Sequence, residues 1–460
     1  MIHIDDAIQP AGLSDPIQQL WRLSGSKILA LEADTANSPG TPVFTVDGRY
    51  QAQGWTEWTQ GFEVGSAILQ FDATGDDQFL DIGRRHTIGK MASHVTHIGV
   101  HDHGFNNLST YGNLRRLMLE QRLPHDAWEL HFYDLALKCS GAVQAARWSH
   151  TIDGDGYIYS FNGPHSLFAD TIRSLRSLAI AHHLGHCLMA ENDDPVCLLD
   201  RLIQHARTTS RYGVYFGEGR DAYDVRGRVA HESVFNSNDG RFRCASTQQG
   251  YSPFSTWTRG LAWIMTGYAE QLEFIATCSD DELEQLGGRA EVTELLLATA
   301  RASCDFYLEF TPTDGVPYWD TGAPGLDQMG DYLQRPADPF NDYEPVDSSA
   351  AAIGAQGLLR LGNYLREHGA ADDGNRYWQA GLTVLQTLLD EPYLSTRESH
   401  QGLLLHTIYH RPRGWDHVPA GARIPSGESC MWGDYHLREL ALYVQRVAEG
   451  QPYLTFWGGA

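Results

Sequence analysis

Two aspartates, Asp102 and Asp170, combine the residue type and the position that acid/base chemistry requires. Each stands where the chain enters a predicted helix, and the helix after Asp170 carries an apolar stripe at helical spacing. An acid at a helix start either complements the helix dipole, which is worth a few tenths to about 1 kcal/mol, or takes part in catalysis. Position alone leaves both interpretations open.

The elements that must position these acids are predicted to be helices with a shared construction, polar or aromatic at the start and apolar beyond it. They begin near Trp58, Asp102, Asp170, Trp257, Asp347 and Asp434. Most intervals between them hold a second amphipathic helix, and strand-like alternation is nearly absent. Six helix pairs at repeating intervals predict an all-α fold, an (α/α)6 barrel, in a single catalytic domain over residues 1–460.

In such a ring the inner helices direct their N-terminal ends at one pocket. The small residues of segment 348–355 suit an inner helix, because they permit close packing around the axis. Locally, we expect one continuous helix over residues 165–192 and a loop over residues 38–53. The irregular segments 212–254 and 310–345, the second of which includes Tyr318-Trp319-Asp320, are predicted to carry site residues, because long aromatic loops in a helical protein usually do.

Composition excludes some partners. The formal charge is −24, with 58 acidic against 34 basic residues, whereas nucleic acids and anionic membranes are bound by basic surfaces. The seven cysteines are scattered without a CxxC motif, which predicts reduced, mostly buried thiols. The first residues do not resemble a signal peptide, and no apolar run reaches 18 residues, so we expect a cytoplasmic protein. The oligomeric state is not determined by the sequence.

Two carboxylates beside Trp and Tyr side chains suit acid/base work on a sugar, because sugar rings stack on aromatic faces. The aromatic residues also have an ordinary role in cores, and Trp263 fits either role. The pairs His182/His186 and His101/His103 have metal-ligand spacing, but no HExxH or Cys/His framework completes them. We therefore predict no metal and no cofactor.

An ordered set of short motifs resembles the unsaturated glucuronyl hydrolases, glycoside hydrolase family 88. The set consists of WTQGF (58–62), HDxGF (101–105), Asp170-Thr171, His231 with TQQG (247–250), STWTRGxAW (255–263), YWD (318–320), DSSA (347–350) and WGDY (432–435). The motifs occur in the family's order over roughly residues 40–445. The segment 257–263 is the most specific of them.

The resemblance implies an (α/α)6 barrel that removes a 4,5-unsaturated uronic acid from the non-reducing end of oligosaccharides left by polysaccharide lyases. An acid protonates C4 of the vinyl ether, water adds at C5, and the hemiketal opens. By position, Asp170 matches the general acid/base and Asp102 the second essential aspartate. The residues implied to bind substrate are His101, His231, Gln249, Arg259, Ser429 and the aromatic walls Trp58, Trp257 and Trp263.

This chain also departs from the family pattern. Glu63 stands where an aromatic residue is common, Phe161 stands where a Trp is common, and the loops 212–228 and 323–343 look enlarged. These departures bear on the aglycone side of the substrate. Two other functions stay open: a sugar epimerase or isomerase on the same barrel, which would favour paired histidines such as His101, His103 or His231 as bases, and a non-catalytic carbohydrate-binding protein.

Overall fold

The computed structural model describes residues 1–35, 38–54 and 57–457, so Trp55 and Thr56 of the predicted 54–62 helix start lie outside the described residues. The described chain is mainly helical. Its helices are α1 (Ser14–Thr35), α2 (Gln60–Thr74), α3 (Asp77–Lys90), α4 (Ala92–Val95), α5 (His103–Asn107), α6 (Asn113–Leu119), α7 (Ala127–Ala146), α8 (Thr171–Ser174), α9 (Arg176–His183), α10 (Leu198–Gly213), α11 (Thr258–Ile275), α12 (Asp280–Glu284), α13 (Gly288–Phe310), α14 (Ser348–Glu367), α15 (Ala371–Leu388) and α16 (Met431–Ala448).

Short antiparallel strands lie in the segments that connect these helices. They are β1 (Thr41–Val46), β2 (Arg49–Gln53), β3 (Trp148–His150), β4 (Gly156–Ile158), β5 (Ser166–Phe168), β6 (Leu188–Met189), β7 (Pro195–Val196), β8 (Glu232–Phe235) and β9 (Phe242–Ser246). They form the pairs β1–β2, β3–β4 and β6–β7 and one three-stranded sheet in the order β5–β8–β9.

The helices of the described chain form two concentric layers, which confirms the predicted (α/α)6 barrel. The inner layer runs in a closed circle through α2, then α5 and α6 joined by a π-helical turn (Leu108–Gly112), then α8 and α9, α11, α14 and α16, which packs back on α2. The outer layer is α1, α3, α7, α10, α13 and α15, each packed on an inner helix. Inner helices therefore alternate with outer ones along the chain.

Small residues bring the inner helices together, as predicted for segment 348–355. Ala350, Ala351 and Ala352 of α14 are fully buried. On the same helix a Cβ added at Gly357 would lie 2.8 Å from the backbone carbon of Met265 in α11, so the two backbones are nearly in contact there.

The barrel axis also contains charges that the sequence analysis did not predict. Arg173 of α8 contacts Glu270 of α11 at 3.1 Å and Glu439 of α16 at 2.7 Å, and all three side chains are buried. Arg360 of α14 pairs with Glu273 at 2.7 Å. Opposite charges thus join four inner helices across the axis, where neither charge can remain unpaired at low cost.

Two local expectations were wrong. Residues 38–53 include the β1–β2 hairpin, whose turn at Asp47 and Gly48 has positive φ at both residues. Residues 165–192 do not form one helix: β5 pairs with β8 before Asp170, the helical part ends at His183, and Gly185 in the left-handed region turns the chain into β6. Pairing of β5 with the distant β8 and of β6 with the neighbouring β7 overrides the local apolar pattern.

Among the described residues, no helix combines the length and apolar character needed to cross a bilayer.

Candidate active site

The N-terminal ends of the inner helices surround a cavity of about 370 Å³. Among the residues singled out from the sequence, its walls contain Trp58, His101, Asp102, Asp170, Gln249, Trp257, Arg259 and Trp263. These side chains precede or begin α2, α5, α8 and α11. The predicted convergence of helix starts on one pocket is therefore present.

Neither aspartate caps its helix. Asp170 occupies the N-cap position of α8 and Asp102 that of α5, yet neither carboxylate accepts a hydrogen bond from the first turn. Both side chains are buried, and Oδ1 of Asp170 has no hydrogen-bond partner. Neither carboxylate therefore serves as a hydrogen-bonding helix cap, because a capping carboxylate would accept from backbone N–H groups.

Ser174 of α8 holds the two carboxylate segments together. Its hydroxyl donates to the carbonyl of His101 at 2.7 Å and accepts from the backbone N–H of Gly104 at 2.9 Å. On the other side, the backbone N–H of Ala169 donates to the carbonyl of His231 at 2.9 Å, which continues the pairing of β5 with β8. Asp170 is thus fixed between the 101–104 segment and a strand pair.

The imidazole of His101 lies between the two carboxylates. Its Nε2 is 3.2 Å from Oδ2 of Asp170 and 3.5 Å from Oδ1 of Asp102, and its side chain is buried. A proton on Nε2 is shared between two negative groups. The three side chains form one ionisable unit in the cavity wall, which we call the His101 cluster.

Burial and mutual contact shift the pKa values within the His101 cluster. Burial, reinforced by the negative charge of Asp170, raises the pKa of Asp102 to about 6. Burial also opposes charge on His101, but the neighbouring carboxylates outweigh it and raise the pKa of His101. Burial likewise opposes charge on Asp170, but the hydrogen bond from His101 outweighs it and lowers the pKa of Asp170. The cluster therefore takes up a proton near pH 6, a value suited to acid catalysis close to neutrality.

His231 lies behind Asp170 and is not part of the cavity wall. Its Nδ1 accepts from the backbone N–H of Gln248 at 3.0 Å, so a neutral ring carries its proton on Nε2, which is buried without a partner. Burial lowers the pKa of His231 to about 4 despite the nearby carboxylate of Asp170.

His205 is a similar buried ring: its Nδ1 accepts from the backbone N–H of Ile158, and burial lowers its pKa to about 3.

Arg259 aims Gln249 at the cavity. Its Nη2 donates to Oε1 of Gln249 at 2.9 Å, and its Nη1 donates to Oδ2 of Asp347 at 2.8 Å. Because the amide oxygen of Gln249 is used, its NH₂ group is the part left to donate into the cavity. Asp347, by contrast, is a capping residue: its Oδ1 accepts from the backbone N–H of Ser349 at 3.1 Å.

Aromatic rings form the floor and one side of the cavity. Trp58 stacks on Trp432 with ring centroids 4.9 Å apart, and Trp263 packs against Phe105 at 4.8 Å. Trp263 is only 2 % exposed and yet belongs to the cavity wall. Its two proposed roles, core and wall, are therefore compatible.

Several further cavity residues were not among the predicted site residues, although Phe105 and Gln248 stand within the motifs HDxGF and TQQG. They are Glu57, His97, Val100, Phe105, Phe168, Gln248, Tyr409, His410, Arg413 and Trp415. The last four come from one irregular loop before α16, and the aromatic and basic run 409–415 was the available signal. Phe161 also lies in the wall, with its ring 6.3 Å from that of His101.

Other predicted residues lie elsewhere. Ser429 is buried and donates its hydroxyl to Oδ1 of Asp434 at 2.7 Å, so it anchors α16 and is not in the cavity wall.

Asp320 accepts from the backbone N–H of Tyr251 at 2.8 Å and so holds the loop that follows Gln249, which means that segment 318–320 lies outside the cavity wall and positions one of its loops. Glu63 faces Lys90, 4.0 Å away, and is not in the cavity wall. The described residues of loops 212–228 and 323–343 contribute nothing to the wall.

Within the described residues, two groups place three possible metal ligands within 4.8 Å of one another: the His101 cluster itself, and Asp47, His417 and Glu428 at the surface. His103 instead hydrogen-bonds Ser140 and the carbonyl of His97, away from the cavity wall. The absence of a metal and of a cofactor stays a prediction.

No family model matches the chain. Relatives are nevertheless found over most of its length. The chain is 26% identical over 413 residues to an unsaturated glucuronyl hydrolase of Bacillus sp. (strain GL1), covering 88% of this chain and 90% of the relative. It is 24% identical over 391 residues to an unsaturated glucuronyl hydrolase of Formosa agariphila, covering 83% and 78%.

Solved structures give the same fold. An unsaturated glucuronyl hydrolase specific for heparin superposes with a TM-score of 0.71 at 20% identity, covering 95% of this chain and 98% of that one. The enzyme from Bacillus sp. GL1 gives 0.68 at 22% identity, covering 93% and 97%. A mutant of the Streptococcus agalactiae enzyme complexed with dGlcA-GalNAc6S gives 0.62 at 19%, covering 96% and 93%. The resemblance read from the motifs is confirmed, and so is the barrel.

Proposed function

We propose that this chain is a glycoside hydrolase that releases a 4,5-unsaturated uronic acid from the non-reducing end of lyase-generated oligosaccharides. The observation that carries the proposal is the His101 cluster: two buried carboxylates, free of capping duty, joined by one imidazole in a cavity with aromatic walls. The relatives that cover most of the chain carry the names of enzymes with this activity.

Asp170 is the proposed general acid. The pKa of Asp170 is lowered in the free protein, so the proton of the His101 cluster must first pass to this carboxylate through Nε2 of His101, which is 3.2 Å from its Oδ2. The protonated Asp170 then gives that proton to C4 of the vinyl ether. Water then adds at C5 after losing a proton to the same carboxylate. The resulting hemiketal opens and releases the aglycone.

Asp102 and His101 set the protonation of the site. With its pKa raised to about 6, Asp102 carries a proton below that pH and relieves the negative charge around Asp170. The NH₂ group of Gln249 is the nearby donor for the oxygens of the uronate. Arg259 holds Gln249 in place and contributes positive charge, because its Nη1 and Nη2 already donate to Asp347, Gln249 and the carbonyls of Ile408 and Tyr409. Trp58, Trp257 and Trp263 provide apolar faces for the uronate ring. His231 supports the site from behind Asp170.

The test is Asp170→Asn with an unsaturated uronate disaccharide as substrate. General acid/base catalysis contributes roughly 10²–10⁴-fold, so the variant should lose about that much of kcat, measured as the fall in absorbance of the C4=C5 double bond. Asn keeps the shape of the side chain, so the variant should stay folded, with a modest drop in melting temperature because the carboxylate that His101 stabilises is lost.

Three results would decide between functions. A wild-type protein that leaves the absorbance of a panel of such disaccharides unchanged contradicts the hydrolase. Binding of the disaccharide without turnover supports a carbohydrate-binding protein, and interconversion of a saturated sugar supports an epimerase. A wild type that is active while Asp170→Asn keeps most of that activity contradicts only the role of Asp170.

We also propose that one domain over residues 1–460 carries this activity. Buried apolar side chains from Ile2 to Trp457 form one continuous cluster, which supports the single-domain organisation. All seven cysteines are free thiols, which is consistent with the predicted cytoplasmic location. The expectation that the thiols are mostly buried was wrong, since only Cys278, Cys304 and Cys430 are buried.

A further inference from the structure

The β6–β7 hairpin places two cysteines opposite each other on the outside of the barrel. In this hairpin Leu188 pairs with Val196, and Met189 with Pro195. One residue further from the turn, the same register puts Cys187 opposite Cys197. Cys197 keeps extended backbone angles, φ −70° and ψ 124°, so the strand geometry continues to this position.

The hydrogen-bond pattern brings these two side chains close. The backbone N–H of Ala190 donates to the carbonyl of Asp194 at 2.8 Å next to the turn. Bonded and non-bonded pairs alternate along an antiparallel ladder, so Met189–Pro195 is a non-bonded pair, which suits a proline, and Cys187–Cys197 is the next one. Side chains are closest in such pairs, with Cβ atoms about 4.5 Å apart, which is within the range found in disulfides.

Cys197 is the more reactive of the two by its surroundings. It is exposed and is the N-cap residue of the sixteen-residue helix α10, whose first N–H groups favour a thiolate. His182 is the neighbour of its thiol, and Nε2 of His182 is 3.0 Å from Oε1 of Glu282. Glu282 is itself fixed by a capping box with Ser279. The hydrogen bond from His182 lowers the pKa of Cys197, although burial opposes this.

We propose that Cys197 and Cys187 form a reversible thiol–disulfide pair, in which a hydroperoxide oxidises Cys197 and Cys187 closes the bridge. The Cys197 thiolate attacks one peroxide oxygen, so that an S–O bond forms, the O–O bond breaks, and the leaving oxygen takes up a proton. The sulfur of Cys187 then attacks Sγ of Cys197, an S–S bond forms, the S–O bond breaks, and the hydroxyl leaves as water with the proton of the Cys187 thiol. The two cysteines lose two electrons, and the peroxide gains them.

The experiment uses the chain's own cleavage site. Exposed Glu191 lies between the two cysteines, so a glutamate-specific protease cuts the hairpin in two. The native protein is treated with hydrogen peroxide, free thiols are blocked with iodoacetamide, and the digest is analysed by mass spectrometry. We expect the two halves to stay joined, two hydrogens lighter than their sum, and to separate after reduction. Halves that separate without reduction, each with a blocked cysteine, would overturn the proposal.

Matched variants test each part. Cys197→Ser and Cys187→Ser should each abolish the joined product, whereas Cys244→Ser, at another exposed cysteine, should leave it intact. In Cys187→Ser, a dimedone probe should label Cys197 as a sulfenic acid, and adding His182→Gln should slow this labelling several-fold. An unchanged rate would remove His182 from the proposal. None of these measurements depends on hydrolase activity.

Discussion

His101 makes two carboxylates behave as one acid. Asp102 and Asp170 come from different helices and would repel each other if both were ionised in a buried wall. The imidazole between them offsets this repulsion through contacts of 3.5 Å and 3.2 Å. The acidity of the site is therefore a property of three residues, and changing any one of them changes the other two.

The pH dependence of kcat/KM should report this coupling. In the wild type, kcat/KM should fall as pH rises through about 6, because the cluster loses the proton held by Asp102. His101→Gln removes the group that favours ionised carboxylates, so the falling limb should move to higher pH. Loss of a charge-assisted hydrogen bond should also lower kcat by roughly 10–100-fold.

His103→Gln is the matched control for His101→Gln. His103 lies two residues away and hydrogen-bonds Ser140 and the carbonyl of His97, outside the cavity wall. Its replacement should leave the falling limb in place. A limb that moves equally in both variants would show that the shift comes from loosened packing and not from the imidazole between the carboxylates.

Glu63 should make stability depend on pH. Burial raises its pKa from 4.5 to about 7 in the folded chain. The folded chain binds the proton of Glu63 more tightly than the unfolded chain does. This contribution to stability is complete below the unfolded pKa of 4.5 and is lost as pH rises through the folded pKa of about 7. The free energy of unfolding should therefore decline by about 3 kcal/mol between these pH values because of this group. Glu63→Gln should flatten the decline of unfolding free energy with pH, measured by chemical denaturation. The control variant Glu284→Gln, at an exposed position, should keep the decline of the wild type. A profile identical to the wild type would contradict the raised pKa.

At the scale of elements, the contact of α5 with α8 determines where the two aspartates stand. A Cβ added at Gly104 would lie 2.2 Å from the carbonyl oxygen of Ser174, which is too close for any side chain. Gly104→Ala must therefore separate the two helices, at a typical cost of about 1–3 kcal/mol. We expect kcat/KM to fall together with the melting temperature.

Gly89→Ala is the control for this helix contact. Gly89 lies in α3 and has nothing within 4 Å of an added Cβ. Because alanine favours a helix by roughly 0.5–1 kcal/mol over glycine, this variant should be as stable as the wild type or slightly more so, with unchanged kcat/KM. An active and equally stable Gly104→Ala would contradict the close approach of α5 and α8.

The helix starts were predictable because local rules determine them. The polar or aromatic residues before α5, α8 and α11 stand at the cavity, as their position in an amphipathic pattern predicted. The strand before Asp170 was not predictable, because it depends on pairing with β8, more than sixty residues away. The break after His183 depends on the left-handed Gly185 and on the β6–β7 hairpin, which interrupt an apolar pattern that continues through the sequence. Arg413 and Trp415 were missed for a similar reason: a loop without periodicity gives no local sign of which cavity it covers.

At the scale of the whole molecule, the net charge of −24 opposes the approach of an acidic substrate. Salt screens this repulsion, with a Debye length of about 10 Å at 0.1 M. Raising the salt concentration from low to physiological should therefore increase kcat/KM for an unsaturated uronate disaccharide by a factor of a few. The methyl ester of the same disaccharide is uncharged and should show little change. A fall of kcat/KM with salt would instead indicate that Arg259 and Arg413 attract the substrate more strongly than the overall field repels it.

The ion pairs of Arg173 with Glu270 and Glu439 close the barrel at the end opposite the cavity mouth. Trp263 separates the cavity from the guanidinium of Arg173, 5.8 Å from the ring, and below it the paired charges fill the axis. Substrate must enter and products must leave through the same mouth, in single file. Because the uronate lies deepest in the cavity, the aglycone must leave first and the hydrated uronate must leave last. The released uronate should therefore act as a competitive inhibitor, and the aglycone should not compete with substrate in the same way.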